Sequence, residues 1–336
     1  MSVSLSVVMP VHNEAAHLPA TIDALVQSAT DGGIDADFVL VDDGSTDGSA
    51  DAAAAALAGR LPLRVVAQPN RGRFEARRAG LQEAKGEFVL FLDARVSLHP
   101  AAIAFVAERL ESGENVWTGH VDVVADGNPF AVFWKLLAEL AWEQYFRAPR
   151  TTSYDAASFD LFPKGTTCFL APRELLREAV SAFRSRYADL RHANDDTPLI
   201  RWIAERERIH ISPEFACSYE PRISPRAFLR HAFHRGVVFL DGHGTPGSRF
   251  FPAVVAFYPA STVLAVVALR RPTVVPLAAV STGVAAGFFA AAKGRTVGEI
   301  ASLAALAPVY ATAHGLGMWR GLGMLVGKLV AGARPV

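Results

Sequence analysis

Through the N-terminal third of the chain, short apolar runs alternate with stretches whose apolar positions recur every three or four residues. Ser4-Leu5-Ser6-Val7-Val8-Met9-Pro10, Phe38-Val39-Leu40-Val41, Leu63-Arg64-Val65-Val66 and Phe88-Val89-Leu90-Phe91-Leu92 have strand length. Between them, 14–28 carries Leu18, Ile22, Leu25 and Val26 at helical spacing, 49–58 is rich in alanine, and 74–84 reads as a further helix. Such alternation predicts an α/β fold with a mainly parallel sheet and helices on both faces. Further along, the pattern predicts a helix over 100–110, a strand over 117–124, a loop over 148–160 and a helix over 198–207. The stretch 130–146 reads as one amphipathic helix whose aromatic stripe, Trp134, Trp142, Tyr145 and Phe146, suits a core or, beside a membrane, its interface.

The pattern changes near residue 250. Residues 251–269 and 272–292 hold no charge, and each is long enough to cross a hydrocarbon core of roughly 30 Å at about 1.5 Å per residue. Residues 300–312 stay apolar, His314-Gly315-Leu316-Gly317-Met318-Trp319-Arg320-Gly321 interrupts with polar groups, and 322–330 resumes. Two or three spans are expected, rich in the small residues of packed membrane helices; buried helices of a soluble core are the other reading. Arg270-Arg271 lies in the tight connection between the first two spans. A simple crossing puts that pair outside, against the positive-inside tendency, whereas a re-entrant or shallow hairpin removes the conflict. Upstream, 222–235 is basic and acid-free, with Arg226, Arg230 and His234 every fourth residue and His231 and Arg235 beside them. That is either a solvated face or, next to apolar segments, a surface for an anionic or phosphate-bearing lipid. The expected division is a cytosolic domain over 1–235, with 222–250 as its basic interfacial end, and a membrane region over 251–330.

Composition adds exclusions. The 336 residues balance 33 Lys+Arg against 33 Asp+Glu, which gives no electrostatic case for a nucleic-acid partner. Carboxylates thin out after Asp241, with Glu299 alone beyond it. Cys168 and Cys217 fit neither a disulfide framework nor a metal spacing, so a reducing compartment is expected. No basic region precedes the first apolar run, so no signal peptide is expected and the first part of the chain should stay in the cytoplasm.

Asp42, Asp43 and Asp93 each follow an apolar run, so they should share the carboxyl edge of the sheet, where open α/β folds bind ligands. Three carboxylates on one edge repel unless a cation or donors compensate. Turn chemistry alone is the plainer reading of Asp-Gly-Ser-Thr-Asp. Asn194-Asp195-Asp196-Thr197, ahead of the helix over 198–207, has the look of an N-cap.

Four motifs, in order and at matching spacing, point to a family. Val8-Met9-Pro10-Val11-His12-Asn13-Glu14, Val41-Asp42-Asp43-Gly44-Ser45-Thr46-Asp47, Asn70-Arg71-Gly72 with Ala76-Arg77-Arg78-Ala79-Gly80, and Leu92-Asp93-Ala94 resemble family 2 glycosyltransferases of the inverting, Rossmann-like GT-A fold. The resemblance covers about residues 1–235. The apolar tail with Gly-Leu-Gly-Met-Trp-Arg-Gly looks like membrane-anchored members that build bacterial polysaccharides. The resemblance implies that Pro10, Val11, Glu14, Asp42 and Asp43 hold the base and ribose of a nucleotide-sugar, and that Arg77 reaches base or phosphate. Asp93 would hold Mg²⁺ or Mn²⁺ against the diphosphate. Here the family's Asp-x-Asp is Asp93-Ala94-Arg95, so the last acid is a cation, which either leaves one carboxylate for the metal or itself lies on the diphosphate. Gly165 and Thr166 resemble the segment that lines sugar and acceptor. Asp196 matches the catalytic base, and Asp195 replaces the usual Glu beside it. The Gln-x-x-Arg-Trp motif of processive synthases is absent, and Arg230, His234 and Arg235 occupy the comparable place, which favours a single transfer.

The expectation is a multi-pass protein of the inner (plasma) membrane with a cytoplasmic catalytic domain. It would pass a sugar from a nucleotide donor, UDP foremost, to a hydroxyl of a lipid-linked acceptor, with Asp196 as base. Two alternatives stand beside it: transfer to a polyprenyl phosphate, and a catalytically silent membrane scaffold in a polysaccharide complex.

Overall fold

A computed structural model describes residues 3–332. The chain begins β1 (Ser4–Val11), α1 (Leu18–Gly32), β2 (Asp35–Asp43), α2 (Ser49–Leu57), β3 (Leu63–Gln68), α3 (Arg73–Glu83) and β4 (Phe88–Leu92). It continues through β5 (Val96–Leu98), α4 (Ala102–Glu111), β6 (Trp117–Val123), α5 (Pro129–Ala141), α6 (Glu143–Phe146), β7 (Thr152–Tyr154), β8 (Cys168–Pro172) and α7 (Arg173–Ala182). Then come α8 (Asp196–Ala204), β9 (Ile209–Tyr219), α9 (Pro225–His243), α10 (Phe251–Arg270), α11 (Val274–Ala292) and α12 (Val297–Gly332). The chain folds as two compact units. One takes the residues up to Val124 with Trp142–Arg184 and Asp195–Glu220; the other takes Ala125–Ala141, Ser185–Asn194 and the described residues from Pro221 on.

The first unit is a GT-A-like α/β layer structure around a nine-stranded sheet of order β3-β2-β1-β4-β8-β6-β9-β5, with β7 alongside β9. β3, β2, β1 and β4 are mutually parallel, joined by helical crossovers as parallel strands require. β8 then pairs antiparallel with β4 and with β6, so the parallel order expected from the sequence describes half of a mixed sheet. All five residues of β4 are buried, the signature of a strand covered on both faces. Leu5, Val7, Met9, Phe38, Leu40 and Leu90 form one core with Ile22, Leu25 and Val26 of α1. Gly80 sets α3 onto the sheet: a Cβ there would lie 2.3 Å from Val8 Cγ1 and 3.0 Å from Val41 Cγ2. The register pairs Val11 with Asp42, and Asp43 with Gln68, so the parallel strands end together at one edge.

In the second unit α9 and α12 cross at glycines: a Cβ on Gly236 would lie 1.9 Å from the His314 carbonyl oxygen, and one on Gly317 2.1 Å from that of Phe233. Phe133 and Trp134 of α5 pack against Phe228 and Tyr310. Asp241 of α9, buried, accepts hydrogen bonds from Arg186 N at 2.6 Å, Asn194 N at 2.7 Å and Ser185 Oγ at 3.0 Å, which fastens the segment 185–194 to α9. α10, α11 and α12 are each long and apolar enough to cross a membrane.

Several boundaries differ from the sequence reading. α1 starts at Leu18 and leaves Glu14 in a loop, whose carbonyl accepts from His17 N. The aromatic helix breaks at Trp142 into α5 and α6. The glycine-rich stretch around His314 does not interrupt α12, because its glycines serve the crossing with α9. β9 is masked in the sequence pattern because Pro213-Glu214 falls in its middle, where the pairing with β6 shifts register. Gly80→Ala is expected to lower stability by about 1–3 kcal/mol through overpacking, measured by thermal unfolding; an unchanged melting temperature would show that α3 can lift from the sheet at no cost.

Candidate active site

At the carboxyl edge two loops interlock. Asp42 accepts from Ser45 N at 2.8 Å, a turn-forming side-chain bond. Asn13, in the left-handed region at φ 57°, accepts from Thr46 N at 2.8 Å. Both Asp43 oxygens serve the next loop: Oδ1 accepts from Arg71 N and Gln68 Nε2 at 2.7 Å, and Oδ2 from Gly72 N at 2.8 Å. Gly72 is the residue before α3, so Asp43 fixes where that helix begins. Pro10 is half-buried and Val11 buried at the same edge. Four of the nucleotide-site candidates, Pro10, Val11, Asp42 and Asp43, are therefore brought together on one rim.

One turn into α3 is Arg77, 2% exposed, with three carboxylates on its guanidinium. Nη1 donates to Asp195 at 2.7 Å and to Asp196 at 3.2 Å, and Nη2 to Asp93 at 2.9 Å. Arg77, which the resemblance puts at base or phosphate, has both terminal nitrogens on acids of the protein itself. Asp195 stands at the N-cap position of α8 but makes no capping bond; its carboxylate turns to Arg77 instead. Asp196 opens α8 and also accepts from the buried Thr166 hydroxyl, and Asp93 N donates to Thr167 O at 2.9 Å. Thus β4, the loop before β8, α3 and the start of α8 meet at one cation, with Gly165 next to Thr166 in that loop.

The two adjacent acids differ. Asp195 is 1% exposed, and its Oδ1 is buried without a hydrogen-bond partner. Burial pushes its carboxyl up, against Arg77, and the neighbouring Asp196 adds to the rise. Asp196 is 29% exposed. Burial acts against its charge too, but Arg77, Arg73 and the Thr166 hydroxyl hold its carboxyl below the usual range. Arg73, unremarked in the sequence, lies one helical turn before Arg77 on α3, and that i, i+4 spacing was the available signal. Arg73 is exposed at the rim of the cluster; partial desolvation there opposes its charge, and Asp196, Asp195 and Asp93 outweigh it and raise its pKa.

Arg95 does not project free beside Asp93. Its Nε lies 2.8 Å from Glu14 Oε2, and both side chains are mostly buried. Glu14, expected at the nucleotide, is thus engaged by the residue that stands where the family has its second acid. No group of three His, Cys, Asp or Glu among the described residues is placed to cage a metal. Asp93 fits a narrower role. Its carboxylate is partly exposed and bound to Arg77 through Oδ1, and Mg²⁺-type ions use one or two carboxylates together with substrate phosphates. Arg230, His234 and Arg235 lie on α9 in the second unit, where the His234 ring is 6.0 Å from that of His192 and Arg235 is 5.7 Å from the Trp134 ring.

A model of the family described as Glycosyl transferase family 2 matches residues 6–179. Among curated relatives, undecaprenyl-phosphate 4-deoxy-4-formamido-L-arabinose transferase of Pseudomonas aeruginosa (strain LESB58) is 37% identical over 114 residues, 33% of this chain and 34% of the relative. The protein of that name from Shewanella sediminis (strain HAW-EB3) is 33% identical over 111 residues, 32% of this chain and 34% of its own length. The chain therefore spans about a third of the length of these relatives. Two solved structures share the fold at a TM-score of 0.50. They are the mannosyltransferase PcManGT from Pyrobaculum calidifontis in complex with GDP-Man and Mn²⁺ (20% identity, 99% of this chain, 89% of that one) and S. aureus TarS 1-349 in complex with UDP-GlcNAc (15%, 93% and 92%).

Arg77→Met leaves buried carboxylates uncompensated, so it should cost about 3–5 kcal/mol. Asp195, already raised by burial, climbs further without the cation, so the deficit should be greatest above that raised pKa and shrink as pH falls through it. Thermal unfolding across that range checks both; a deficit independent of pH would mean that lost packing, not charge, is the cause.

Proposed function

Because the chain belongs to glycosyl transferase family 2, we propose that it moves a sugar from a nucleoside-diphosphate donor, UDP foremost, to the phosphate of a polyprenyl phosphate at the cytoplasmic face of a membrane. The observation that carries the acceptor is the setting of Asp196, whose Oδ1 accepts from Arg77 Nη1 at 3.2 Å and from the Thr166 hydroxyl. A general base for a hydroxyl works best with a pKa near the operating pH, whereas Asp196 is held below its usual range by two arginines and a hydroxyl. A phosphate monoester is already ionised and needs no base. The curated relatives, though matched over a third of their length, are named undecaprenyl-phosphate transferases. These points support the polyprenyl-phosphate reading over the lipid-linked hydroxyl first expected from the sequence.

On this reading a phosphate oxygen attacks the anomeric carbon. The bond from that carbon to the diphosphate breaks on the opposite face, which inverts the configuration and leaves the nucleoside diphosphate with the released charge. Pro10, Val11 and Asp42 line the donor rim, while Asp43 and Arg77 hold its framework. Asp196 remains an anion near the reacting carbon, suited to stabilise positive charge that develops on the sugar ring. A divalent ion, Mg²⁺ or Mn²⁺, would be held by Asp93 and mainly by the donor's own phosphates, and would neutralise the leaving group. Two arginines against three aspartates leave the cluster short of positive charge for an incoming diphosphate, and Arg95 is already engaged by Glu14. Arg230, His234 and Arg235, on a helix without a carboxylate before Asp241, suit the acceptor phosphate at an inner-membrane surface.

Asp196→Asn should reduce turnover on polyprenyl phosphate by less than the ~10²–10⁴-fold that removal of a general base costs, with donor KM little changed. Loss of that full factor would restore the hydroxyl-acceptor reading. Mn²⁺ alone should leave the melting temperature of the protein unmoved, yet raise the shift produced by UDP. Asp93→Asn should reduce the Mn²⁺-dependent part and leave the shift from UDP alone unchanged; an equal Mn²⁺ effect without UDP would reveal a preformed metal site.

A further inference from the structure

The longest apolar helix is fastened, from its start to near its end, to segments outside the other two long apolar helices. At its start, Arg295 pairs with Glu139 of α5. Ser302 Oγ donates to Pro129 O at 2.6 Å, and the Tyr310 ring lies 5.3 Å from that of Phe133. Beyond these, Gly317 and Gly321 lie against the backbone of α9, and Lys328 Nζ donates to Ser185 O at 2.9 Å. Arg295 and Lys328 are separated by about 50 Å of helix at 1.5 Å per residue, yet both end on segments that are short excursions from the sheet unit. The segment 185–194 is bounded at both ends by that unit's chain and carries Arg186, Asp189, Arg191 and His192. At no more than about 3.6 Å per residue it cannot cross a ~30 Å hydrocarbon core and return. The same holds for Ala125–Ala141, most of which is the helix α5. α9, with Arg226, Arg230 and Arg235, is too charged to sit in hydrocarbon.

We infer that α12 does not cross the membrane but lies along its surface on the side of the sheet unit, pressing an apolar stripe into the lipid. Ala305, Val309, Leu316, Trp319, Val326 and Val330 are exposed and recur at helical spacing, while the opposite face is covered by α5, α9 and 185–194. The stripe continues into the exposed apolar surfaces of α10 and α11, including Leu269 and Phe288. Trp319 donates to Ser261 Oγ of α10 at 3.2 Å and has Arg320 next to it, the pairing of ring and cation found at headgroup level. α10 and α11 must then leave and return, either as two crossings or as a hairpin open to one face. Both bring Val297 back to the side on which α12 is anchored. The inference depends on no assignment of donor or acceptor.

The test uses the full chain in sealed vesicles, with single cysteines introduced by Glu108→Cys on the sheet unit, Val297→Cys and, off the apolar stripe, Ala331→Cys. The native Cys168 and Cys217 are buried. A membrane-impermeant maleimide should label all three from the same side; Ala331→Cys reacting from the side opposite to Glu108→Cys overturns the proposal. Spin labels at Ala305→Cys, Val309→Cys, Leu316→Cys and Val326→Cys should report one shallow depth in phosphatidylglycerol-containing bilayers. A depth that passes through the bilayer centre along the series would mean a spanning helix. Labels shielded from both lipid and water would mean that a second copy covers the stripe, and either result rejects lipid contact.

Discussion

The candidate site depends on one buried cation. Arg77 gathers Asp93, Asp195 and Asp196 from three separate parts of the chain. Without it two adjacent acids and a third nearby would repel, and a buried Asp195 would have to take up a proton or water. The surrounding structure serves that contact. Asp43 fixes the start of α3, Gly80 lets the helix lie against β1 and β2, and the short distance from β4 to its neighbour β8 brings Asp93 and Thr166 to the same place. Replacing the guanidinium with a lysine would keep the charge but lose the planar fork that serves three acceptors at once.

The same arrangement changes what the acids can do. An aspartate at the start of a helix, beside a cleft, has the position of a general base. Here the shared arginine, a second arginine one turn earlier and a hydroxyl hold Asp196 as a stable anion. That environment suits charge stabilisation better than proton removal. On the proposed reading the acceptor supplies its own nucleophile, as an ionised phosphate does. At the position of the second metal-binding acid, Arg95 is balanced by Glu14, so the substitution changes the partner of Glu14 without adding free positive charge to the cluster.

Much of the fold was legible in the sequence. The alternation of apolar runs with helical spacing gave β1 to β4 and the helices between them, and it put Asp42, Asp43 and Asp93 on one edge. What local pattern could not give was pairing at a distance. That Arg77 meets Asp195 across 118 positions, or that Arg95 turns to Glu14, depends on how loops pack after the sheet forms. β9 was hidden by Pro213-Glu214, and the continuity of α12 by glycines that look like breaks but serve a helix crossing. Hydropathy likewise reports length and apolarity, not direction, so it could not tell a helix that spans a bilayer from one that lies on it.

Transfer of the sugar to a phosphate is tested most directly by the bond it forms. Phosphorus-31 NMR of a reaction containing the full-length protein, a UDP-sugar and polyprenyl phosphate observes the new bond itself. Transfer to the phosphate gives loss of the phosphate monoester resonance, growth of a phosphodiester resonance and release of UDP in equal amount. Release of UDP with the monoester unchanged, and the sugar found on a lipid-linked hydroxyl supplied beside it, would contradict it.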